Sequence, residues 1–424
     1  MQKKTQLPRN YLAFLWHAIF LSITLTFTEV NSVVPALILE LGGGEIHVGI
    51  VTAIMIGVPL VAQLNFAGFL HGKGRKKPYL LAGINLRVLS LAMIAVTLLS
   101  AQRLNTLVVL LLIYGELLIF TTSGAFAGIS YVDLIGKSFT SDLRRRFFTR
   151  KQLISGIGIL LSAVIARQVL KSIGYPANYS LLFGAAAGVL LIAAIGFWLI
   201  REDAGEEHSR TNYLRTLKMI PEVLRKDRNL RMYLFYVNGV GFHVALIPFY
   251  VALAKTRYFL DPSLAGNLLF VQILGMIAAS LLWPRIVAKG GFKSILKVWS
   301  LLSFLLPPLA LAVSRFLPLP FYIGLFALTG AAVGARKVSQ EAVVVELSTE
   351  ENRVLYTGII GTLNLSIAIF PILIGGLLRL LGYTPVFLGV AALALAARLI
   401  LPRLVCPVDR PGGSAGPAPG AGGS

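Results

Sequence analysis

Cysteine and acidic residues are scarce in this chain of 424 residues, and each shortage excludes some classes of function. Cys406 is the single cysteine, which excludes an internal disulfide framework and a zinc site built from several cysteines. The sequence shows no metal-ligand spacing, no glycine-rich phosphate loop and no pairing of a nucleophile with a base. We therefore expect no metal, no cofactor, no ATP-driven motor and no enzymatic activity.

Acids number 18 against 39 Lys and Arg, which gives a net charge of +21, yet only 13% of the chain is charged and 56% is hydrophobic. A soluble domain of this length would need far more polar surface. The basic residues lie in short segments between apolar runs rather than on one soluble domain. This pattern indicates a lipid bilayer as the environment and argues against a nucleic-acid partner.

The apolar runs predict an all-α integral membrane protein, because a helix needs about 20 such residues to cross the hydrocarbon core. About twelve transmembrane helices are expected, at 11–38, 47–70, 78–101, 105–135, 151–172, 177–200, 231–255, 263–286, 293–314, 318–346, 354–380 and 383–404. Lys and Arg are concentrated in alternate loops, which places both termini on the cytoplasmic side of the cytoplasmic membrane. The first run is long enough to span, so no cleavable signal peptide is predicted.

A charged segment separates two sets of six spans. The predicted divisions are an N-terminal six-helix bundle over 1–200, a cytoplasmic connector over 201–230, a C-terminal six-helix bundle over 231–405 and a disordered tail over 406–424. Apolar residues at helical spacing predict an amphipathic helix in the connector. That helix lies either in the membrane interface or in solvent with no packing partner.

The two halves resemble each other in sequence. Corresponding positions are Pro35 and Pro248, Gly49 and Gly266, and Arg144 and Arg353. A repeat of this kind in an apolar chain indicates a transporter built from related halves, with a substrate site between them near the middle of the membrane.

The loop after the second span reads AGFLHGKGRKK. It resembles the Gly-x-x-x-Asp-Arg-x-Gly-Arg-Lys-Lys motif of the major facilitator superfamily, although Ala67, His71 and Gly72 depart from that pattern. The resemblance implies two pseudo-symmetric six-helix bundles, alternating access, pore-lining spans 1, 4, 7 and 10, and a cytoplasmic gate. The gating-loop residues assigned on this basis are His71, Gly74, Arg75, Lys76, Lys77, Asp133, Arg144 and Arg353.

Glu29 is the most informative ionisable residue, because charges inside a span require a partner or a cavity. It lies well inside the first span, close to Asn31 and Pro35. A carboxyl group there can exchange a proton or meet a cationic group, which makes Glu29 and Asn31 candidates for proton coupling or substrate binding. The alternative is a structural acid bonded to a neighbouring helix.

Arg87 in the third span and Glu116 in the fourth lie at similar depths. They form either a neutralising pair between adjacent helices, or Glu116 faces the pore as a second proton or substrate site. In the tenth span, Arg336 and Lys337 cannot face the same way on a helix. One is a candidate contact for an anion, unless both belong to a cytoplasmic gate with Glu341 or Asp133.

Further polar residues could sense protons or bind a cargo. His17 and His243 are either buried structural histidines or proton-sensitive pore residues. The amides expected to bind a cargo through hydrogen bonds are Asn238, Gln63, Asn65, Asn267, Gln272 and Asn364. The aromatics that either line the cavity or pack are Phe242, Phe249 and Tyr250.

These observations favour a monomeric secondary active transporter that moves a small organic solute by alternating access with proton coupling. A flippase for a lipid or lipid-linked substrate on the same fold is a second hypothesis and would show an amphiphilic cavity open to the bilayer. A membrane sensor or assembly factor is a third and would lack a continuous polar cavity.

Overall fold

The computed structural model describes residues 2–71, 73–139, 141–202, 213–258, 262–347, 356, 359–361, 363–364 and 368–404. Within these ranges the chain is helical and forms no β-strand, which confirms the predicted all-α class. The first half contains α1 (Gln2–Phe27), α2 (Val33–Glu40), α3 (Glu45–Thr52), a π-helical turn (Ala53–Gly57), α4 (Val58–His71), α5 (Lys77–Leu99), α6 (Thr106–Ser138), α7 (Ser141–Ser172) and α8 (Ala177–Leu199).

The connector contributes α9 (Tyr213–Lys226). The second half contains α10 (Arg228–Leu246), α11 (Pro248–Tyr258), α12 (Pro262–Phe316), α13 (Leu319–Leu347), α14 (Phe370–Leu381) and α15 (Tyr383–Ile400), followed by a short 3₁₀ turn at Leu401–Arg403. Eleven stretches of the described chain are long and apolar enough to cross a membrane. The eleventh predicted span, 354–380, lies partly outside the described residues, and α14 is its described end.

Helix α12 carries two of these stretches, Leu264–Val287 and Lys293–Phe316. A straight helix of 55 residues would measure about 80 Å, far more than a bilayer core. The hydroxyl of Tyr258, just before α12, donates to the carbonyls of Val313 and Leu317 at the far end of the segment. The two ends of α12 therefore lie side by side, and the segment folds back on itself as two antiparallel spans.

The first span is broken where the sequence predicts a continuous helix. Helix α1 ends at Phe27 and α2 begins at Val33, with Pro35 in the first turn of α2, where its missing N–H is tolerated. The seventh span breaks at the corresponding place, because α10 ends at Leu246 and α11 begins at Pro248. The repeated proline thus marks a repeated interruption of the helix.

The connector helix α9 packs against the second half. Ile220, Val223 and Leu224 contact its buried cluster, and the guanidinium of Arg231 donates to the carbonyl of Leu224 at 3.1 Å. The expectation of a linker helix with no packing partner is therefore wrong for these residues, because its apolar face is partly covered by protein.

Glycine allows the halves to approach closely at positions related by the repeat. A Cβ added at Gly49 of α3 would lie 2.4 Å from the carbonyl oxygen of Pro371 in α14. A Cβ added at Gly266 of α12 would lie 2.7 Å from the Cα of Arg167 in α7. The backbones of α3 and α14, and of α7 and α12, are thus in direct contact across the boundary between the halves.

Candidate functional site

The break between α1 and α2 is organised around the Glu29 carboxylate. The Asn31 side chain donates to Oε1 at 2.7 Å, while the Asn31 backbone N–H and the Ser32 hydroxyl donate to Oε2 at 2.8 Å each. Gln272 of α12 donates to Oε1 at 3.3 Å, from the other half of the molecule. The carboxylate therefore accepts hydrogen bonds from donors exposed where the helix stops, and through Gln272 it links the two halves.

A cavity of about 380 Å³ adjoins this break. Its walls come from the end of α1, the α1–α2 break, the π-helical turn, α4, α5 and α6, all in the first half, so this cavity is not the site between the halves that the sequence predicts. Helical turns of the π type occur frequently at functional sites. Polar and charged groups on the walls are Thr28, Glu29, Gln63, Arg87 and Thr121, and apolar groups include Leu25, Val30, Met55, Pro59 and Phe120. Pockets that bind small molecules have this volume and this mixture of apolar walls with few polar groups.

Arg87 of α5 enters the cavity without forming the predicted pair. Its guanidinium carbon lies 4.3 Å from the centre of the Phe120 ring, a cation–π contact. No ion pair joins it to Glu116. Glu116 instead accepts a hydrogen bond from the Thr97 hydroxyl at 2.7 Å and is buried away from the cavity lining. The Arg87–Glu116 pair is therefore wrong, and Glu116 does not line this cavity, so its pore-facing alternative stays a prediction.

The helical fold that surrounds this cavity also occurs in solved transporter structures, and a family model matches the sequence. The sequence model of the Major Facilitator Superfamily matches residues 15–259 and 243–422. The chain belongs to the Major Facilitator Superfamily. No curated protein sequence matches it significantly.

Solved structures of this superfamily agree with the fold. The nucleoside transporter NupG has a TM-score of 0.66 at 13% identity, covering 93% of this chain and 98% of its own. A bacterial homologue of the human drug peptide transporters PepT1 and PepT2 has a TM-score of 0.66 at 11% identity, covering 94% of this chain and 98% of its own. At these identities the likeness concerns the fold.

The superfamily loop after α4 is held by acids from elsewhere. Lys76 forms an ion pair with Asp133 at 3.5 Å, and Lys137 pairs with the same carboxylate at 2.9 Å. Glu202 accepts hydrogen bonds from the backbone N–H groups of Lys76 and Lys77 at 2.8–2.9 Å, at the start of α5. A carboxylate is favoured there because unpaired N–H groups and the helix dipole meet at a helix N-terminus.

Glu202 was not among the residues singled out from the sequence. Its side chain is 3% exposed, and it also meets Lys137 at 3.3 Å. The signal available was an isolated acid directly after the sixth span, although a sequence cannot show that this point meets the start of α5. Gly74 contributes its carbonyl to Lys137 at 3.2 Å, and Arg75 is exposed. The side chains of His71, Arg144 and Arg353 lie outside the described residues.

The other candidates have mainly structural surroundings. Asn238 donates to the carbonyls of Leu234 and Leu363 at 3.0 and 2.9 Å. His243 is fully buried, and its Nε2 lies 3.1 Å from the Tyr250 hydroxyl. His17 stacks on Phe197 with ring centroids 3.8 Å apart. None of these side chains lines the cavity.

Several expected cargo contacts are used within the protein instead. Asn267 accepts a hydrogen bond from Arg167 at 2.6 Å, and Gln272 binds Glu29. Phe242 stacks on Phe370 at 3.7 Å, and Phe249 and Tyr250 are buried away from the cavity. Asn364 is buried, whereas the side chain of Asn65 lies outside the described residues. Of the predicted amides, Gln63 lines the cavity.

The adjacent bases of α13 point in different directions, as the helical spacing predicts. Arg336 has a buried Nε with no hydrogen-bond partner, and Lys337 is exposed. The side chain of Glu341 lies outside the described residues, so the gate pair proposed for it stays a prediction.

Proposed function

We propose that this protein is a secondary active transporter that moves a small organic solute by alternating access, coupled to protons through Glu29. The observation that carries the proposal is the 380 Å³ cavity with Glu29 and Arg87 on its walls, at a broken helix. The polar lining also argues against the sensor hypothesis, which requires no such cavity.

Contacts between the halves suggest which end of the transporter is closed. Lys255 donates to the carbonyl of Leu39, and the Tyr383 hydroxyl donates to Glu45 at 2.8 Å. These residues lie at the ends of their helices away from the connector. We infer that this end is sealed and that the cavity opens towards the connector, which the Lys and Arg distribution places in the cytoplasm.

Glu29 is suited to couple a proton to this movement. Its hydrogen bonds from Asn31 and Ser32 lie within one half, whereas the bond from Gln272 crosses to the other half. A rearrangement of the halves changes the donors around the carboxylate and therefore its preference for a proton. A proton gained in one state and released in the other would couple its gradient to the cargo.

Proteoliposomes containing the purified protein and a pH-sensitive dye test this function. The solutes to add are lactate, succinate and benzoate, their amides, uridine, which represents the nucleosides carried by one structural relative, and dialanine, which represents the peptides carried by another. We expect at least one solute to move protons and to accumulate under an imposed pH gradient. If no solute moves, the transport proposal fails, and movement of a fluorescent phospholipid instead would favour the flippase.

Glu29→Gln tests the coupling step, because Gln has nearly the same shape but cannot release a proton. We expect the variant to lose accumulation against a gradient and to keep exchange of the same solute between the two sides. Accumulation at the wild-type level would make Glu29 a structural cap for the start of α2.

A further inference from the structure

Arg87 sits in a site shaped for its guanidinium. Phe120 and Gly124 lie one helical turn apart on α6, and the guanidinium packs on both. A Cβ added at Gly124 would come within 3.0 Å of the Arg87 Nε and 3.2 Å of its guanidinium carbon. The ring supports the cation from one side, and the absence of a side chain at Gly124 leaves room for it.

This cation has no anionic partner among the residues that the structure describes. Its Nε is buried without a hydrogen-bond partner, and no carboxylate oxygen of the described chain lies within 4.0 Å of its nitrogens. Glu29 accepts from Asn31, Ser32 and Gln272, and Glu116 accepts from Thr97 through Oε1, so neither acid pairs with Arg87.

An unpaired charge at membrane depth is costly, and a cation–π contact offsets only part of that cost. Such a group is retained where a partner arrives from the cavity. A guanidinium presents a planar fork of donors that matches a carboxylate with two parallel hydrogen bonds. The Arg87 side chain lines the cavity, so the fork can meet a bound solute there.

We propose that Arg87 is the binding residue for a carboxylate group of the transported solute. This inference rests on the proposed transport function and names its substrate class. The Phe120–Gly124 surface holds the guanidinium in place, and the carboxylate of the solute completes the ion pair that the protein leaves open.

Matched solutes test the proposal in proteoliposomes. Lactate, succinate and benzoate are compared with lactamide, succinamide and benzamide, which have similar shapes and no charge. We expect uptake of at least one acid and of none of the amides by the wild type. Arg87→Gln should weaken the apparent affinity for that acid by about tenfold to a hundredfold, as expected for loss of a charged hydrogen-bonded pair. Arg87→Lys keeps the positive charge but loses the planar pair of donors, so it should retain part of the affinity for that acid.

Thermal unfolding of the solute-free protein gives a second readout that requires no known cargo. If Arg87 awaits a ligand, Arg87→Met should leave the melting temperature unchanged or raise it. Arg398→Gln is the matched control, because Arg398 donates to Ser300 at 3.2 Å and to the carbonyl of Lys297, and its loss should lower the melting temperature.

Either of two results would overturn the assignment. One is uptake of an amide as efficient as that of its acid, with Arg87→Gln unaffected. The other is a lower melting temperature in Arg87→Met, which would make Arg87 a structural residue. If no solute is taken up at all, the transport proposal fails, and the melting temperatures still decide the role of Arg87.

Discussion

The helix breaks beside Pro35 and Pro248 lie at corresponding places in the two halves, but the residues around them differ in chemistry. Between α1 and α2, five residues are not helical, and the Glu29 carboxylate accepts hydrogen bonds from two of them, Asn31 and Ser32. Between α10 and α11 only Ile247 intervenes, and it is fully buried. The repeat therefore places a proline beside a helix break in both halves, but five residues leave the first helix around a carboxylate, whereas the single residue at the second break keeps helical backbone angles and is packed.

Each half also has a lysine clamp, which is a lysine side chain that donates to two carbonyls at the end of the last span of that half, and the two clamps differ in the same way. Lys77 donates to the carbonyls of Trp198 and Ile200 at the end of the sixth span, at 2.8 and 2.7 Å. Lys293 donates to the carbonyls of Pro402 and Leu404 at the end of the twelfth, at 3.5 and 2.7 Å. The first half adds Glu202 two residues later, whereas the corresponding position 406 is a cysteine outside the described residues.

The comparison separates scaffold from function. Proline breaks and lysine clamps occur in both halves, so they follow from the repeated fold. Among the residues that the structure describes, the carboxylate contacts of Glu29 and of Glu202, which follows directly after the last span of the first half, have no counterpart in the second half. We therefore expect substitutions at the acids of the first half to alter transport, and substitutions at the second break to alter stability alone.

Glu202→Gln should have the largest effect of the four substitutions that test this difference. It removes the charge from an acceptor of two backbone N–H groups and of Lys137, in a buried position. Hydrogen bonds to charged groups contribute about 1.5–3 kcal/mol each. We expect a melting temperature lower by several degrees and slower transport, measured by thermal unfolding and by solute exchange.

Lys293→Met provides the comparison in the second half, because it removes the clamp that has no added acid in the described structure. It should lower the melting temperature with little change in the exchange rate per folded molecule. An equal slowing of exchange by both variants would contradict the assignment of a transport role to the Glu202 contacts alone.

The helical fold follows from the sequence because span length and apolar composition are local properties set by bilayer thickness. The interruptions do not follow, although Pro35 and Pro248 indicate them. The break after Phe27 depends on Glu29, and one of the bonds of Glu29 comes from Gln272, which is 243 residues away in the chain. A sequence window cannot contain that contact.

The candidate site was predicted in part for the same reason. Glu29 and Gln63, both candidates from the sequence, line the cavity. Depth does not give the rotation of a helix about its axis, and rotation directs Arg87 to Phe120 and Glu116 to Thr97. The predicted pair between Arg87 and Glu116 is wrong because the sequence does not give the rotation of α5 and α6 about their axes.

Tyr250→Phe tests the break of the second half and should lower the melting temperature moderately. The variant loses the hydroxyl bonded to His243 at 3.1 Å, in a fully buried setting near the α10–α11 break. A typical buried hydrogen bond contributes about 0.5–1.5 kcal/mol, so we expect a melting temperature lower by a few degrees. Accumulation under a pH gradient should match the wild type. A loss of accumulation at normal protein levels would show that the second break also takes part in coupling.

Glu222→Gln should have the smallest effect, since the Glu222 side chain in α9 is exposed, whereas that of Glu202 is buried. Its carboxylate bonds Lys226 at 2.6 Å, one turn along α9, and this hydrogen bond and the lysine charge lower the pKa of Glu222. A lowered carboxyl pKa contributes stability that is present above the ordinary pKa of Glu, about 4.3, and is lost as the pH falls through the lowered value. Both partners are largely exposed, so water and salt screen the pair and the contribution is small. We expect the variant to have the wild-type melting temperature at pH 7. Its melting temperature should fall slightly less than that of the wild type between pH 7 and pH 3, measured beside Glu202→Gln in the same buffers. A fall at pH 7 as large as that of Glu202→Gln would mean that burial is not what distinguishes the two acids.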